Sequence, residues 1–140
     1  MILKMDHVGI AVEDDKAMVE GLSRLFGFKV VKTFEEHKEG FLSHLIYANS
    51  AGIEVLSPTS SESGIARFLR RKGAGVHHLS FQVDDLQHEM ERLASQGVKF
   101  VTAEPQVVDD LKIIFVHPES TFGLLIELVE KGLPITESKE

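Results

Sequence analysis

The sequence predicts an α+β fold of two βαβββ modules. Two observations carry that prediction: the chain is written twice, and each copy reads as strand, helix and three further strands. The segment DHVGIAVEDDKAMVEGLSRLFGFKVV aligns with HHLSFQVDDLQHEMERLASQGVKFVT with little gapping. Each opens on a histidine, alternates as a strand does, meets two acidic residues and passes into an amphipathic helix. A glycine follows, Gly27 or Gly97, and then a short strand. Each copy also closes on a similar strand, GIEVLS in the first and LLIELVE in the second.

In chain order, the first module (about 4–58) takes strands over 4–12, 28–33, 42–48 and 53–57, with a helix over 15–26. Pro58 and the serine-rich residues after it form the natural junction. A linking helix over 63–72 opens on a serine cap and is ended by Gly73, Ala74 and Gly75. The second module (about 76–130) takes strands over 76–83, 99–101, 113–116 and 124–129, with a helix over 86–96. Residues 131–140 are polar and aperiodic and read as a tail trailing from a single domain spanning 1–140.

A chain of 140 residues with 43% apolar content suits one domain with a real core. There is no cysteine, so thiolate ligands and disulfides are excluded, and a reducing, cytoplasmic setting is expected. The opening MILKMDHVGIAV reads as neither a signal peptide nor a membrane span. A net charge of −7 disfavours binding to a nucleic-acid backbone. Against that acidic background stands one basic run, Arg67, Arg70, Arg71 and Lys72. It reads either as a solvated helix end complementing the dipole or as an anion-binding patch.

Strand phase decides where the repeated residues point, because side chains alternate between faces. Val8, Ile10 and Val12 share one face, leaving His7, Gly9 and Ala11 on the other. In the equivalent strand Leu79, Phe81 and Val83 form the apolar set, so His78 accompanies Ser80 and Gln82, with His77 on the opposite face. The repeat therefore pairs His7 with His78. Glu54 and Glu127 lie inside apolar strand sequences, and their separations from His7 and His78 are nearly equal. An ionised carboxylate is costly to bury unless it is paired or bound to a metal. A His…Glu pair present twice points to one divalent cation held by His7, Glu54, His78 and Glu127. Nitrogen and oxygen donors of this kind suit Co, Mn, Ni, Zn or Fe(II). No G-x-S-x-G elbow or glycine-rich phosphate loop is present, so the expected chemistry is Lewis-acid polarisation of a carbonyl. His37, His44, His88 and His117 have no counterparts in the repeat and read as surface or packing residues.

Three segments carry a family resemblance: DHVGIAVED; IEVLSP followed by SGIARFLRRKGAGVHHLSFQVDDL; and FVHPESTFGLLIELVEK. With them the chain resembles the vicinal oxygen chelate superfamily of glyoxalases, bleomycin resistance proteins and dioxygenases, and within it the methylmalonyl-CoA epimerase branch. The resemblance implies paired modules curling around a shared cleft, usually in a homodimer, with His7, Glu54, His78 and Glu127 at the metal positions. It implies a small acyl-CoA thioester as partner. The implied reaction is a 1,1-proton transfer interconverting R and S methylmalonyl-CoA through a planar enolate held between two bases. Glu127 is the expected catalytic base, and Arg70, Arg71 and Lys72 the expected substrate-binding residues. Two departures stand out. The loop before the HP motif reads EPQVVDDLK where epimerases are usually glycine-rich, and Ser43 stands where some relatives carry a glutamate base. His44 and Glu39 are nearby candidates for that second base.

The resemblance leaves rivals. Glyoxalase I shares the His-Glu-His-Glu set, and antibiotic-binding proteins of the same fold bind without catalysis; fold alone does not choose among them.

Overall fold

The computed structural model describes residues 1–132. Among the described residues eight strands, three α-helices and one 3-10 turn group into two compact units, Asp6–His78 and a second made of Met1–Met5 with the chain from Leu79 onward. The first strand, β1 (Ile2–Ala11), and the strand β5 (Gly75–Val83) each contribute residues to both units.

In the first unit β1 is followed by α1 (Asp15–Phe26), β2 (Lys29–Glu36), β3 (Phe41–Ala48), β4 (Ala51–Pro58) and α2 (Gly64–Lys72). The strand order is β2-β3-β4-β1. The β2/β3 and β3/β4 pairs are antiparallel, whereas β4 and β1 are parallel, with Gly9 opposite Glu54. Both helices start where the sequence can cap them: the Asp14 carboxylate accepts from the Ala17 N–H at 3.0 Å, and the Ser63 hydroxyl from Ala66 N–H at 3.0 Å. Gly27 ends α1 in the left-handed conformation at φ 77°, a position that an L side chain resists. The helix α1 packs on β3 and β4, and α2 on β4. Leu56 and Ala11 meet Ile65 and Leu69 of α2 in one apolar cluster, flanked by Phe41 and Phe68.

The second unit repeats the plan with α3 (Leu86–Ser95), β6 (Gln106–Val108), β7 (Leu111–Val116) and β8 (Ile126–Lys131). Its strand order is β5-β8-β7-β6. Here β5 and β8 are parallel, with Ser80 opposite Glu127, while β8/β7 and β7/β6 are antiparallel. The core gathers Val83, Leu86, Met90, Ile114, Val116 and Leu128. Burying each large aliphatic side chain there stabilises the unit by about 1.5–3 kcal/mol. In both units the carboxylate of the closing strand thus stands beside the opening strand, two residues beyond the repeated histidine.

Two expectations need correction. The strand over 99–101 is reduced to a bridge between Phe100 and Val116, and the ladder is broken before it resumes as β6, which the sequence reading missed. The break has a cause: Thr102 folds its hydroxyl onto the Glu104 carbonyl at 2.9 Å, and Pro105 has no N–H to donate. The segment EPQVVDDLK is therefore half strand, with Asp109 and Asp110 at the tip of a tight β6–β7 turn and Asp109 at φ 53°. Lys131, assigned to the tail by its composition, is the last residue of the closing strand; residues 133–140 lie outside the described residues. The alternation along β1 holds, with the face of His7, Gly9 and Ala11 the better buried and Val8 and Ile10 half-buried.

Candidate metal centre

Residues opposite one another in a sheet share a face, so Gly9 places His7 on the face of Glu54, and the β3/β4 register adds Ser43 and Leu45. All four polar side chains on or beside this face are well covered: His7 is 6%, His78 4% and Ser43 0% exposed, and the Glu54 side chain 12%. The His78 ring lies against the backbone of Gly9. A Cβ added at Gly9 would stand 2.1 Å from Cε1 and 2.2 Å from Nδ1 of that ring, so the absence of a side chain there is what admits it.

Three donor atoms converge. His7 Nε2 is 3.2 Å from His78 Nε2, His78 Nε2 is 3.2 Å from Glu54 Oε1, and His7 Nε2 is 3.6 Å from the same oxygen. Ligands held about 2.1 Å from one ion at tetrahedral or octahedral angles stand about 3.0–3.4 Å from each other. The two 3.2 Å separations fall in that range and the 3.6 Å one lies just outside it, and two imidazoles with a carboxylate are a donor set for a borderline divalent ion. Among the described residues these three form the group able to hold a metal ion.

The surroundings prepare each donor. Burial pushes the Glu54 carboxyl up, but the hydrogen bond and charge of His78, the charge of His7 and the Ser43 bond outweigh it, leaving the group below its ordinary value and ionised. Ser43 Oγ donates to Glu54 Oε2 at 2.8 Å, leaving Oε1 turned to the histidines. His7 Nδ1 meets Asp6 Oδ2 at 2.7 Å, and the Tyr47 hydroxyl donates to the same oxygen at 3.0 Å. His77 Nδ1 lies 3.0 Å from His78 Nδ1, with its ring edge-on to Phe68 of α2 at 5.0 Å. Burial, reinforced by the His78 charge, depresses the His77 pKa to about 4 and keeps that ring neutral. Asp6, Tyr47 and His77 were not singled out as parts of a site by sequence reasoning. Simple alternation placed His77 on the far side of the strand, yet its ring reaches its neighbour.

Glu127 belongs to the second unit. It is 7% exposed, and Ser80 Oγ donates to its Oε1 at 2.7 Å, the same serine-to-carboxylate device as Ser43 and Glu54. The alternatives for a second base fare differently. The Ser43 hydroxyl is engaged by Glu54, and His44 faces α1, where its Nε2 donates to Asp15 at 2.6 Å and its Nδ1 meets Thr33 Oγ1 at 3.0 Å. Glu39 sits exposed in the β2–β3 turn. His88 is exposed on α3, His37 is exposed beside Glu35, and His117 caps a 3-10 turn through its Nδ1. Arg67, Arg70, Arg71 and Lys72 are exposed. Arg67 and Arg70 each donate to a carbonyl of the preceding loop, at 2.6 Å to Glu62 and 2.9 Å to Ser61. Lys72 Nζ lies over the Phe68 ring.

Known proteins resemble this chain over nearly its whole length. It is 32% identical over 131 residues to an ethylmalonyl-CoA/methylmalonyl-CoA epimerase of Cereibacter sphaeroides, covering 91% of this chain and 98% of that protein. The crystal structure of methylmalonyl-CoA epimerase from Mycobacterium tuberculosis superposes with a TM-score of 0.87 at 33% identity, covering 94% of this chain and 90% of that one. A methylmalonyl-CoA epimerase in complex with methylmalonyl-CoA and NH4+ superposes at 0.86 with 29% identity, covering 94% and 96%. These relatives are epimerases, enzymes of the isomerase kind. The model of the Glyoxalase/Bleomycin resistance protein/Dioxygenase superfamily matches residues 6–115. With its two βαβββ modules and that match, the chain belongs to this superfamily, the vicinal oxygen chelate proteins.

Proposed function

We propose that the protein is a methylmalonyl-CoA epimerase, a cytoplasmic homodimer that moves the proton on the carbon between thioester and carboxylate. The observation that carries this reading is the buried convergence of His7, Glu54 and His78 in a chain that resembles epimerases over 91–94% of its length. His7, Glu54 and His78, with Glu127 as fourth ligand, would hold one divalent ion, whether Co, Mn, Ni, Zn or Fe. Such an ion, when bound, withdraws electron density from the thioester carbonyl and acidifies the neighbouring C–H.

The chain's own residues supply the rest. Two neutral imidazoles and two carboxylates balance a dication, so the centre adds no net charge to a buried face. Glu127 is one of two proton-transfer groups: it takes the α-proton on one face of the carbon, and inversion requires an acid that returns a proton on the other. Ser80, donating to Oε1, fixes the Glu127 carboxylate rotamer so that reach is set by geometry. Ser43 does the same for Glu54. The exposed cations Arg70, Arg71 and Lys72, on the last turn of α2, attract the phosphates of the CoA portion.

The test is proton NMR of metal-loaded protein with methylmalonyl-CoA in deuterated water. Rapid loss of the α-proton signal is expected. Persistence of that signal with protein shown to be metal-loaded would rule out the epimerase reading and return the choice to glyoxalase-like or non-catalytic binding.

A further inference from the structure

The first unit holds each of its two ligating histidines from behind, and by different chemistry. His7 and His78 both turn Nε2 toward Glu54 Oε1, at 3.6 and 3.2 Å, and both turn Nδ1 to a neighbour in sequence. For His7 that neighbour is Asp6, 3% exposed, whose Oδ2 lies 2.7 Å away. An ionised carboxylate only accepts, so the Nδ1 of His7 carries the hydrogen and Nε2 presents a lone pair. Tyr47, reaching across from β3, donates its hydroxyl to the same Oδ2 at 3.0 Å and fixes the carboxylate in turn. The fit around this arm is tight. A Cβ at Gly52, which pairs with Tyr47, would stand 2.3 Å from the Asp6 carbonyl oxygen and 2.5 Å from Tyr47 Cε1.

For His78 the neighbour is His77, at 3.0 Å between Nδ1 atoms. One of those nitrogens donates and the other accepts. With His78 Nε2 turned to Glu54, the arrangement that leaves it able to bind a metal has His78 donate from Nδ1 and His77 accept. Phe68 of α2 meets the His77 ring edge-on and holds it in that pose.

We propose that Asp6 (held by Tyr47) and His77 (held by Phe68) are positioning residues that hold the Nδ1–H of His7 and of His78, so that both rings present Nε2 to a metal when one binds. This rests on the proposed metal site and extends it to four residues outside the ligand set. The two arms differ in charge. The Asp6 carboxylate raises the basicity of His7 and stabilises the dication, whereas neutral His77 only orients His78. Replacing Asp6 therefore costs more affinity than replacing His77.

The experiment titrates zinc into metal-free protein against a competing chelator, alongside nitrogen-15 NMR of the histidine rings. The zinc-loaded parent is expected to show both rings with Nδ1 protonated and Nε2 on the metal. Asp6→Ala is expected to weaken zinc binding by about 100-fold, and Asp6→Asn and His77→Ala by about 10-fold, the span typical of such outer partners. Asp6→Asn keeps an acceptor, so the His7 tautomer survives in it while affinity falls; in Asp6→Ala the tautomer signal becomes mixed. If Asp6→Ala fails to fold, Tyr47→Phe serves, with an expected loss of a few-fold and an unchanged fold by circular dichroism. Zinc affinities and ring signals equal to the parent's in Asp6→Asn, His77→Ala and Tyr47→Phe would overturn the proposal. A parent that itself binds no zinc would instead overturn the metal site on which it rests.

Discussion

Adding one methyl group at Gly9 tests the centre without touching any ligand. The new Cβ of Gly9→Ala would lie 2.1 Å from Cε1, 2.2 Å from Nδ1 and 2.7 Å from Nε2 of His78. Carbon atoms in contact settle at about 3.5–4.0 Å, so the ring must retreat by well over an ångström. It has nowhere soft to go, being 4% exposed with His77 against one nitrogen and Glu54 near the other. Metal sites tolerate displacements of about 0.2 Å in a ligand, several times less than this retreat. Zinc affinity is therefore expected to fall at least as far as for a His78→Ala variant. Overpacking should also lower stability by about 1–3 kcal/mol. A chelator-competition titration reads the first and urea unfolding the second. A folded Gly9→Ala protein that binds zinc within threefold of the parent would refute the packing of His78 on β1 in the metal-bound molecule.

Alanine at His7, Glu54 or His78 is expected to weaken metal binding, and metal analysis of a His7→Ala, Glu127→Ala double variant should show an empty centre; full occupancy would remove the site. Glu127→Gln is expected to bind metal more weakly but measurably and to lose at least about a hundredfold in turnover, the low end for a missing general base. Exchange at the parent rate would make Glu127 a ligand only. Neutralising Arg70, Arg71 and Lys72 should raise KM more than it lowers kcat and flatten its salt dependence, because such contacts serve ground and transition states alike. An unchanged KM would return the run to a solvated helix end. Burial pushes the Asp15 carboxyl up, but the His44 bond and its own backbone outweigh it and hold the group below its ordinary value. Its stabilisation is thus complete above that value and lost as pH falls through the lower folded one. The stability gap between the parent and Asp15→Asn should accordingly close in acid, and a pH-independent gap in urea unfolding would refute the linkage.

The duplicated plan was legible because two histidines and two carboxylates sit at equivalent places in a repeat. The parallel registers of Gly9 with Glu54 and Ser80 with Glu127 bear it out. Helix limits were legible where capping chemistry marks them, as at Ser63 and Gly27. The strand around Phe100 was not. Its fate is decided by Pro105 and a turn four residues wide, and β6 owes its place to pairing with β7 rather than to any local pattern. Local sequence cannot report a partner strand.

The polar surroundings of the site were illegible for a different reason, and it concerns alternation itself. Period-two reasoning assigns neighbours in a strand to opposite faces; it sets His77 apart from His78, and the same rule would set Asp6 apart from His7. Alternation fixes Cβ directions, but a carboxylate or an imidazole extends far enough beyond Cβ to return to its neighbour when something holds it there. Tyr47 does this for Asp6, and Phe68 for His77; both come from elements distant in sequence. The adjacent pairs Asp6-His7 and His77-His78 carry a signal only once the repeat has marked their second members as ligands. An acceptor next to a ligating histidine is then a candidate to set its tautomer. The same logic bears on Ser43 and Ser80. A serine beside a buried carboxylate is weak as a base, but as a donor it engages one oxygen and settles which one stays open, and both carboxylates here have one. Ser43 thus does not fill the place of a missing glutamate base; its hydroxyl is committed to orienting Glu54.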